Sequence, residues 1–429
     1  MLPFLTSYDP PGNSEGTLDP LGLYQIADRL AVQLVPAVRE RMQRIRLLTA
    51  IAVGALVTEG LEDDPRRRDV SPYLVWEWLV VESLVRMSGD DPTLWGVPGT
   101  QVTRRALDQH GYLDARSYLK TPRIFGFHGV YKRLANHLGI VDVHLGLGPN
   151  AEPLVDAWAR GMGLRDRAVA GPLLLRWRDA VRRSQEGRPP RTKPNWRIAA
   201  WDELATAFGP SRSKKWEQRC LRNLLLASDD RRLGALPMLW ELQATFEDDR
   251  FREELLHDHL EARAPELGPL LRAIRSYEAF VRSLQDGFDV LRAEAAGVEV
   301  HGFAVPQIAA DQEFERSVRG LHERFEAAHE ALSHVSLADG ALPNLFTERF
   351  RAFAEPMNAA ECALALCTHH ETVQRQKSAD GKRPWFDRLG QDRIYIRRAY
   401  REPRREIKPD RYVHDYRGQP IRRFRTDLS

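Results

Sequence analysis

Two cysteines and two histidines lie close together near residue 365. Cys362 and Cys367 precede His369, His370 and Glu371. Thiolates, imidazoles and carboxylates are the groups that bind zinc in proteins. On one helix, however, the two cysteines lie beside different partners, and the spacing matches no zinc motif. We therefore predict buried cysteines on an apolar helix and no metal site.

Glu-x-x-His pairs occur twice, at Glu254–His257 and Glu326–His329. In four-helix bundles such pairs hold a di-iron centre when two other helices each add a glutamate, and Glu241 and Glu278 are the candidates here. The chain has 13 histidines, so about one such pair is expected by chance. The surrounding faces are strongly charged. We interpret both pairs as ordinary contacts on a helix surface.

The sequence contains no P-loop and no Gly-x-Ser-x-Gly nucleophile turn. These absences favour a protein without a catalytic site of its own, without a cofactor and without a metal. An alternative is a metal-dependent nuclease or hydrolase subunit that uses the region His369–Glu371.

Positive charge is concentrated at the C-terminal end of the 429-residue chain. Residues 369–429 contain 17 Lys and Arg against 9 Asp and Glu, a local net charge of +8, so the rest carries −5 of the total of +3. Aromatic residues alternate with these bases, which suits phosphate pairing and base stacking. An equally simple interpretation is that the segment wraps its own acidic body. The candidate nucleic-acid contacts are Lys377, Lys382, Arg383, Trp385, Arg397, Arg398, Arg404 and Arg405.

Apolar residues recur at helical spacing along most of the chain, and strand-like alternation is scarce. We therefore predict a mainly α, multi-domain helical protein. The predicted segments are a helical domain (1–98), a small module (99–165), a helical region after a Pro/Arg linker (166–262), a long antiparallel helical hairpin with a further helix (263–368), and a basic aromatic tail (369–429). The hairpin would consist of Pro269–Ala296 and Gln312–Val335.

The strongest local pattern lies between residues 101 and 160. Helices are predicted at Val102–His110, Ala115–Leu119, Phe125–Leu138 and Ala151–Arg160, with a short β wing at Ile140–Gly148. The third helix places Phe127, Val130, Tyr131, Leu134 and Leu138 on one side, and Gly139 ends it. The candidate donors toward a nucleic acid are Arg123, His128, Lys132, Arg133, Asn136 and His137.

This order of elements resembles winged helix-turn-helix DNA-binding proteins. The run from Val130 to Val141 is similar to the recognition helix and first wing strand of bacterial regulators of that class. The resemblance implies a helix in the major groove of duplex DNA. It covers about one-seventh of the chain, and the wing departs from the pattern because His144 is its only basic candidate. The module could instead bind a protein, or the stretch could be a plain helical bundle. A second, weaker helix-turn-helix pattern covers Trp201–Leu225. We interpret its basic residues as the solvated start of a helix.

Together these features predict a non-catalytic, nucleic-acid-binding subunit of a bacterial complex, with duplex DNA as the favoured partner. The Arg-rich helical chain also has a weak overall similarity to uncharacterised proteins associated with bacterial antiphage defence. A protein partner or a homo-oligomer is expected, no membrane contact is expected, and the predicted location is cytoplasmic. A third hypothesis is a helical scaffold that binds a protein through the apolar stripe of its long helices.

Overall fold

The computed structural model describes residues 19–62, 70–88, 94–168, 170–186, 199–209, 213–227, 234–246, 252–298, 301–335, 341–377, 381–404, 406–408 and 410–429. The chain is mainly helical, as predicted. The described α-helices are α1 (Tyr24–Leu34), α2 (Leu47–Thr58), α3 (Pro72–Ser88), α4 (Thr100–His110), α5 (Pro122–Phe125), α6 (Phe127–His137), α7 (Ala151–Gly161), α8 (Gly171–Gln185), α9 (Ala199–Phe208), α10 (Lys215–Leu225), α11 (Leu236–Gln243), α12 (Glu253–Arg263), α13 (Gly268–Ala296), α14 (Gln312–Val318), α15 (Leu321–Ser333), α16 (Ala341–Phe350), α17 (Ala359–Gln376) and α18 (Gly418–Asp427).

The chain divides into two compact units, and each is built from two separate stretches of sequence. The hairpin unit comprises Met1–Gln33 and Asp248–Tyr416, and the α6 unit comprises Leu34–Glu247 and Arg417–Ser429. The boundary predicted between residues 368 and 369 falls inside α17. None of the helices in the described part of the chain is long and apolar enough to span a membrane.

The hairpin unit is organised around α13, whose side chains are buried on most sides. The rings of Phe280 and Phe325 lie 5.8 Å apart, and Arg324 donates to the hydroxyl of Ser283 at 2.7 Å. Gly287 lies opposite Val318, so α14 and α15 run antiparallel to α13. The second arm was predicted as one helix but is two, because Gly320 adopts a left-handed φ of 72° between them.

Three short strands form an antiparallel sheet in the hairpin unit: β1 (Phe303–Ala304), β2 (Phe386–Arg388) and β3 (Arg393–Ile396), in the order β1-β3-β2. Phe303 pairs with Ile394, and Asp387 pairs with Tyr395. Ile394 and Ile396 are buried, as the alternation in the sequence predicts. Much of the predicted basic tail is therefore a folded part of this unit.

The α6 unit has an aromatic core around α3, which is buried on nearly every side. Trp76 donates its indole N–H to the carbonyl oxygen of Ala50 at 2.8 Å, and its ring packs against Trp177 and Phe208. Gly54 permits this contact because a Cβ there would lie 2.4 Å from the Trp76 ring. Trp76 is thus a packing residue of this core.

Candidate nucleic-acid interface

The helix predicted to recognise DNA is α6, which follows the one-turn helix α5 after a tight bend. Two glycines make the bend possible. A Cβ on Gly126 would lie 1.8 Å from a carboxylate oxygen of Glu77, and a Cβ on Gly129 would lie 2.5 Å from the carbonyl oxygen of Arg123. Only residues without a side chain allow α5, α6 and Glu77 to approach so closely. The predicted helix at Ala115–Leu119 is absent, and turns occupy these described residues.

The start of α6 is fastened to α3 by the buried carboxylate of Glu77. One oxygen accepts the hydroxyl hydrogen of Tyr118 at 2.7 Å, and the other accepts from the backbone N–H and ring Nδ1 of His128, both at 2.9 Å. Burial and the neighbouring carboxylate of Glu77 raise the pKa of Tyr118 well above its usual value. His128 is only 3% exposed, so the prediction that it faces a nucleic acid is wrong.

One stripe of α6 remains at the surface, and it carries the other predicted donors of this helix. Lys132 is exposed, whereas Arg133, Asn136 and His137 are half-buried. Asn136 donates to the carbonyl oxygen of Val141 at 3.2 Å, and His137 Nδ1 lies 2.8 Å from the carbonyl oxygen of Arg133. The side chains of Asn136 and His137 are thus held by hydrogen bonds to backbone carbonyl oxygens. The cations of Lys132 and Arg133 provide the positive charge of the stripe.

Arg123 lies on α5, immediately before this stripe, and is exposed. Its guanidinium donates to the hydroxyl of Ser71 at 3.3 Å and lies 5.9 Å from the centre of the Tyr73 ring. These contacts orient the side chain at the surface, and Arg123 stays a predicted phosphate contact.

The sequence around α6 lacks negative charge. Residues 115–141 contain no Asp and no Glu, but they contain the bases Arg116, Lys120, Arg123, Lys132 and Arg133. All five are exposed or half-buried. A stretch of one charge sign such as this favours a polyanion.

The predicted β wing is reduced to one isolated bridge between Val141 and Leu147. Between them the chain turns around Asp142, whose carboxylate accepts from the backbone N–H groups of His144 and Gly146, both at 2.8 Å. Leu145 has a left-handed φ of 67° in this turn. The exposed end of the loop carries a carboxylate, so it adds no phosphate contact of its own.

Several of the basic residues after α17 pair with acids of the hairpin unit. Arg397 pairs with Asp387 at 2.6 Å, and Arg404 pairs with Glu313 at 2.5 Å and with Asp311 at 3.3 Å. Lys377 donates to the carbonyl oxygen of Asp19, and burial lowers its pKa to about 8. Part of the charge of these candidates is therefore used within the unit, and their role as phosphate contacts stays a prediction.

Trp385 is also engaged within the hairpin unit. Its ring stacks on Tyr400 at 4.9 Å with an interplanar angle of 5°, and it packs against Phe288 and His370. It therefore does not offer a free face for a base. Of the remaining candidates, Arg383 and Arg398 are exposed and Lys382 is half-buried, whereas Arg405 lies outside the described residues.

The His369–Glu371 region does not form a metal site. Nε2 of His369 lies 2.8 Å from the carbonyl oxygen of Leu21, and His370 bridges the carbonyl oxygen of Pro20 and the N–H of Trp385. Glu371 forms a two-point pair with Arg388. Burial lowers the pKa of His370 to about 3 and raises that of both Cys362 and Cys367 to about 12. Within the described ranges no group of three or more His, Cys, Asp or Glu is arranged to hold a metal.

The Glu254–His257 pair lies in a buried cluster of the hairpin unit, not on a surface as predicted. The backbone N–H of Tyr412 binds Glu254, and the backbone N–H of Tyr416 binds Glu253 at 2.9 Å. Glu278 accepts from the Tyr416 hydroxyl at 2.7 Å. These carboxylates therefore hold the backbone and a hydroxyl of the 412–416 segment, which leaves the di-iron arrangement unsupported.

Replacing His257 by Leu should remove part of the acid sensitivity of this unit. Both ring nitrogens of His257 are buried without a hydrogen-bond partner, and burial, with the charge of Arg275, lowers its pKa to about 3. The unfolded chain therefore takes up the proton first, so stability present above about pH 6.5 is lost as the pH falls toward 3, by up to about 1.4 kcal/mol per pH unit.

Urea unfolding at pH 7, 6 and 5 measures this effect. We expect His257→Leu to match the wild type at pH 7 and to lose less stability at pH 5. The Glu253 carboxylate lies 3.9 Å from Nε2 of His257, but it already accepts a hydrogen bond from the N–H of Tyr416. It therefore stabilises a protonated His257 only a little. An equal loss in both proteins would show that His257 becomes charged inside the fold.

Comparisons of the sequence and structure with protein-family models, curated proteins and solved structures found no match.

Proposed function

We propose that the chain binds nucleic acid, with duplex DNA as the favoured partner, through the exposed stripe of α6 and the adjacent Arg123. The observation that carries the proposal is the acid-free stretch 115–141, whose five basic residues are exposed or half-buried and whose helix α6 is bonded at its start to Glu77 of α3. A helix face at the surface that carries cations suits a major groove.

In this proposal α4 to α7 act as a winged-helix-like module with a rudimentary wing. Phosphate contacts from Arg123 and Lys132 would set the orientation, and Arg133 would approach base edges. The folded basic segment of the hairpin unit would contribute little, because Arg397 and Arg404 are paired internally. We further propose a non-catalytic role; membership of a bacterial defence complex, a protein partner and a cytoplasmic location stay predictions.

Neither alternative has comparable support. The side chains of His369, His370 and Glu371 each bind a different partner, which disfavours a nuclease centre there. The apolar stripe of α13 is buried within the hairpin unit, so it does not offer a scaffold surface.

The double substitution Lys132→Ala/Arg133→Ala should weaken binding of a labelled duplex by about tenfold at low salt, since each exposed ion pair contributes up to about 1 kcal/mol. The measurement is a fluorescence-anisotropy titration with a blunt duplex of mixed sequence. Both side chains lie at the surface of α6, so the fold should persist, which circular dichroism checks.

The matched control is Arg176→Ala/Arg183→Ala on α8, which removes the same charge from the same unit. This control should bind like the wild type. Equal losses in the two variants would assign the effect to net charge alone, and a wild type that does not bind the duplex would end the proposal.

A further inference from the structure

An exposed tryptophan lies among lysine and arginine side chains elsewhere in the α6 unit. Trp216, on the first turn of α10, is 52% exposed. The guanidinium of Arg219, one turn later, lies 6.0 Å from the centre of its ring, and that of Arg160, on α7, lies 5.6 Å away. An indole of this kind buries apolar area when a flat ligand covers it.

The positive charge at this place comes from four side chains and a helix end. Lys214, Lys215 and Arg219 are exposed around Trp216, as is Arg160. No ion pair involves these four within the described ranges. The first turn of α10 has no side-chain cap, so its N–H groups add a partial positive charge.

The packing of α7 against α10 explains why these groups meet. A Cβ on Gly161 would lie 3.0 Å from Cβ of Lys214, so the small residue at the end of α7 admits the start of α10. The one carboxylate on this turn, Glu217, points inward and pairs with Arg46. The outer surface of this turn therefore carries the indole and the cations, while the Glu217 carboxylate lies inside.

We propose that Trp216 is a stacking site for an unpaired base of single-stranded nucleic acid, with Lys214, Lys215, Arg160 and Arg219 binding the adjoining phosphates. An exposed aromatic ring within a basic surface is the usual platform for single strands, because every base offers a flat face once it leaves a duplex. The site goes beyond the proposed function, since it needs neither α6 nor a duplex.

The test compares the wild type, Trp216→Ala and Trp216→Phe in titrations with the eight-nucleotide strands dT8 and rU8 and with a blunt duplex. Trp216→Ala should lose about tenfold or more in affinity for the strand that binds, because a stacked base is worth about 1–3 kcal/mol. Trp216→Phe should retain most of the affinity. Binding of either strand supports the site.

Trp95→Ala is the matched control, since Trp95 is also exposed, at 56%, and also lies beside an arginine, Arg423. It should bind the strands like the wild type. If the wild type fails on the duplex but binds dT8 or rU8 through Trp216, the proposed function falls and this inference stands. Equal strand affinities in the wild type and Trp216→Ala would overturn it, as would no strand binding at all.

Discussion

Replacing Glu217 by Ala should lower the free energy of unfolding of the α6 unit by about 3–5 kcal/mol. Glu217 is 1% exposed and Arg46 is 3% exposed. Their two-point pair joins Nε to Oε1 at 3.1 Å and Nη2 to Oε2 at 3.2 Å, while Nη1 donates to the carbonyl oxygen of Gly209. Without the carboxylate, the guanidinium is left buried and without its counter-charge. Urea unfolding followed by circular dichroism measures the loss.

The double variant Arg46→Met/Glu217→Leu separates the charge from the packing. Because removal of both partners leaves no orphaned charge, this variant should recover most of the stability that Glu217→Ala loses. Loss of the bond to Gly209 should cost about 1 kcal/mol of the recovery. A double variant as unstable as the single one would show that the pair contributes through a specific attraction that apolar contacts cannot replace.

Glu77→Ala should cost a similar amount, about 3–5 kcal/mol, because the hydroxyl of Tyr118 and both N–H groups of His128 lose their acceptor inside the protein. The loss acts on the start of α6, so amide hydrogen exchange should accelerate from residue 127 onward. The measurements are urea unfolding and exchange followed by mass spectrometry.

Glu77→Gln is the control for this prediction, because its amide oxygen still accepts from one donor. We expect it to fall between the wild type and Glu77→Ala in both measurements. A loss below about 1 kcal/mol in Glu77→Ala would contradict the view that this carboxylate holds α6 in place.

Local patterns predicted the helices well. The spacing of Phe127, Val130, Tyr131 and Leu134 located the buried face of α6, and the apolar stripe of α13 located the longest helix. These predictions succeeded because each depends on side chains within one or two turns.

Long-range pairing explains what the sequence did not predict. Because His128 is polar, the sequence predicts it on the outer face of α6, but its partner Glu77 is 51 residues away on α3. A carboxylate within a helix that is apolar on most sides was the available signal for a buried partner. Likewise, nothing near Arg404 in the sequence indicates that it pairs with Glu294, Asp311 and Glu313 in the folded chain. Charge runs in a sequence do not reveal which acids lie opposite them.

The sequence around Trp216 predicts the solvated start of a helix from Lys214 to Arg219, and α10 does begin there. The sequence could not show that Arg160 of α7 joins the same surface, or that Arg46 turns Glu217 away from it.

The most direct test of the account is the salt dependence of duplex binding, compared between two variants that lose charge in different places. One is Arg123→Ala/Lys132→Ala/Arg133→Ala, and the other is Arg383→Ala/Arg398→Ala. We predict that the first reduces the slope of log Kobs against log salt by about two, since Arg123 and Lys132 each lose a phosphate contact and each such contact contributes about 0.9. The second should leave the slope unchanged. A reduced slope in the second variant with an unchanged slope in the first would place the nucleic-acid surface on the basic C-terminal segment and contradict the assignment to α6.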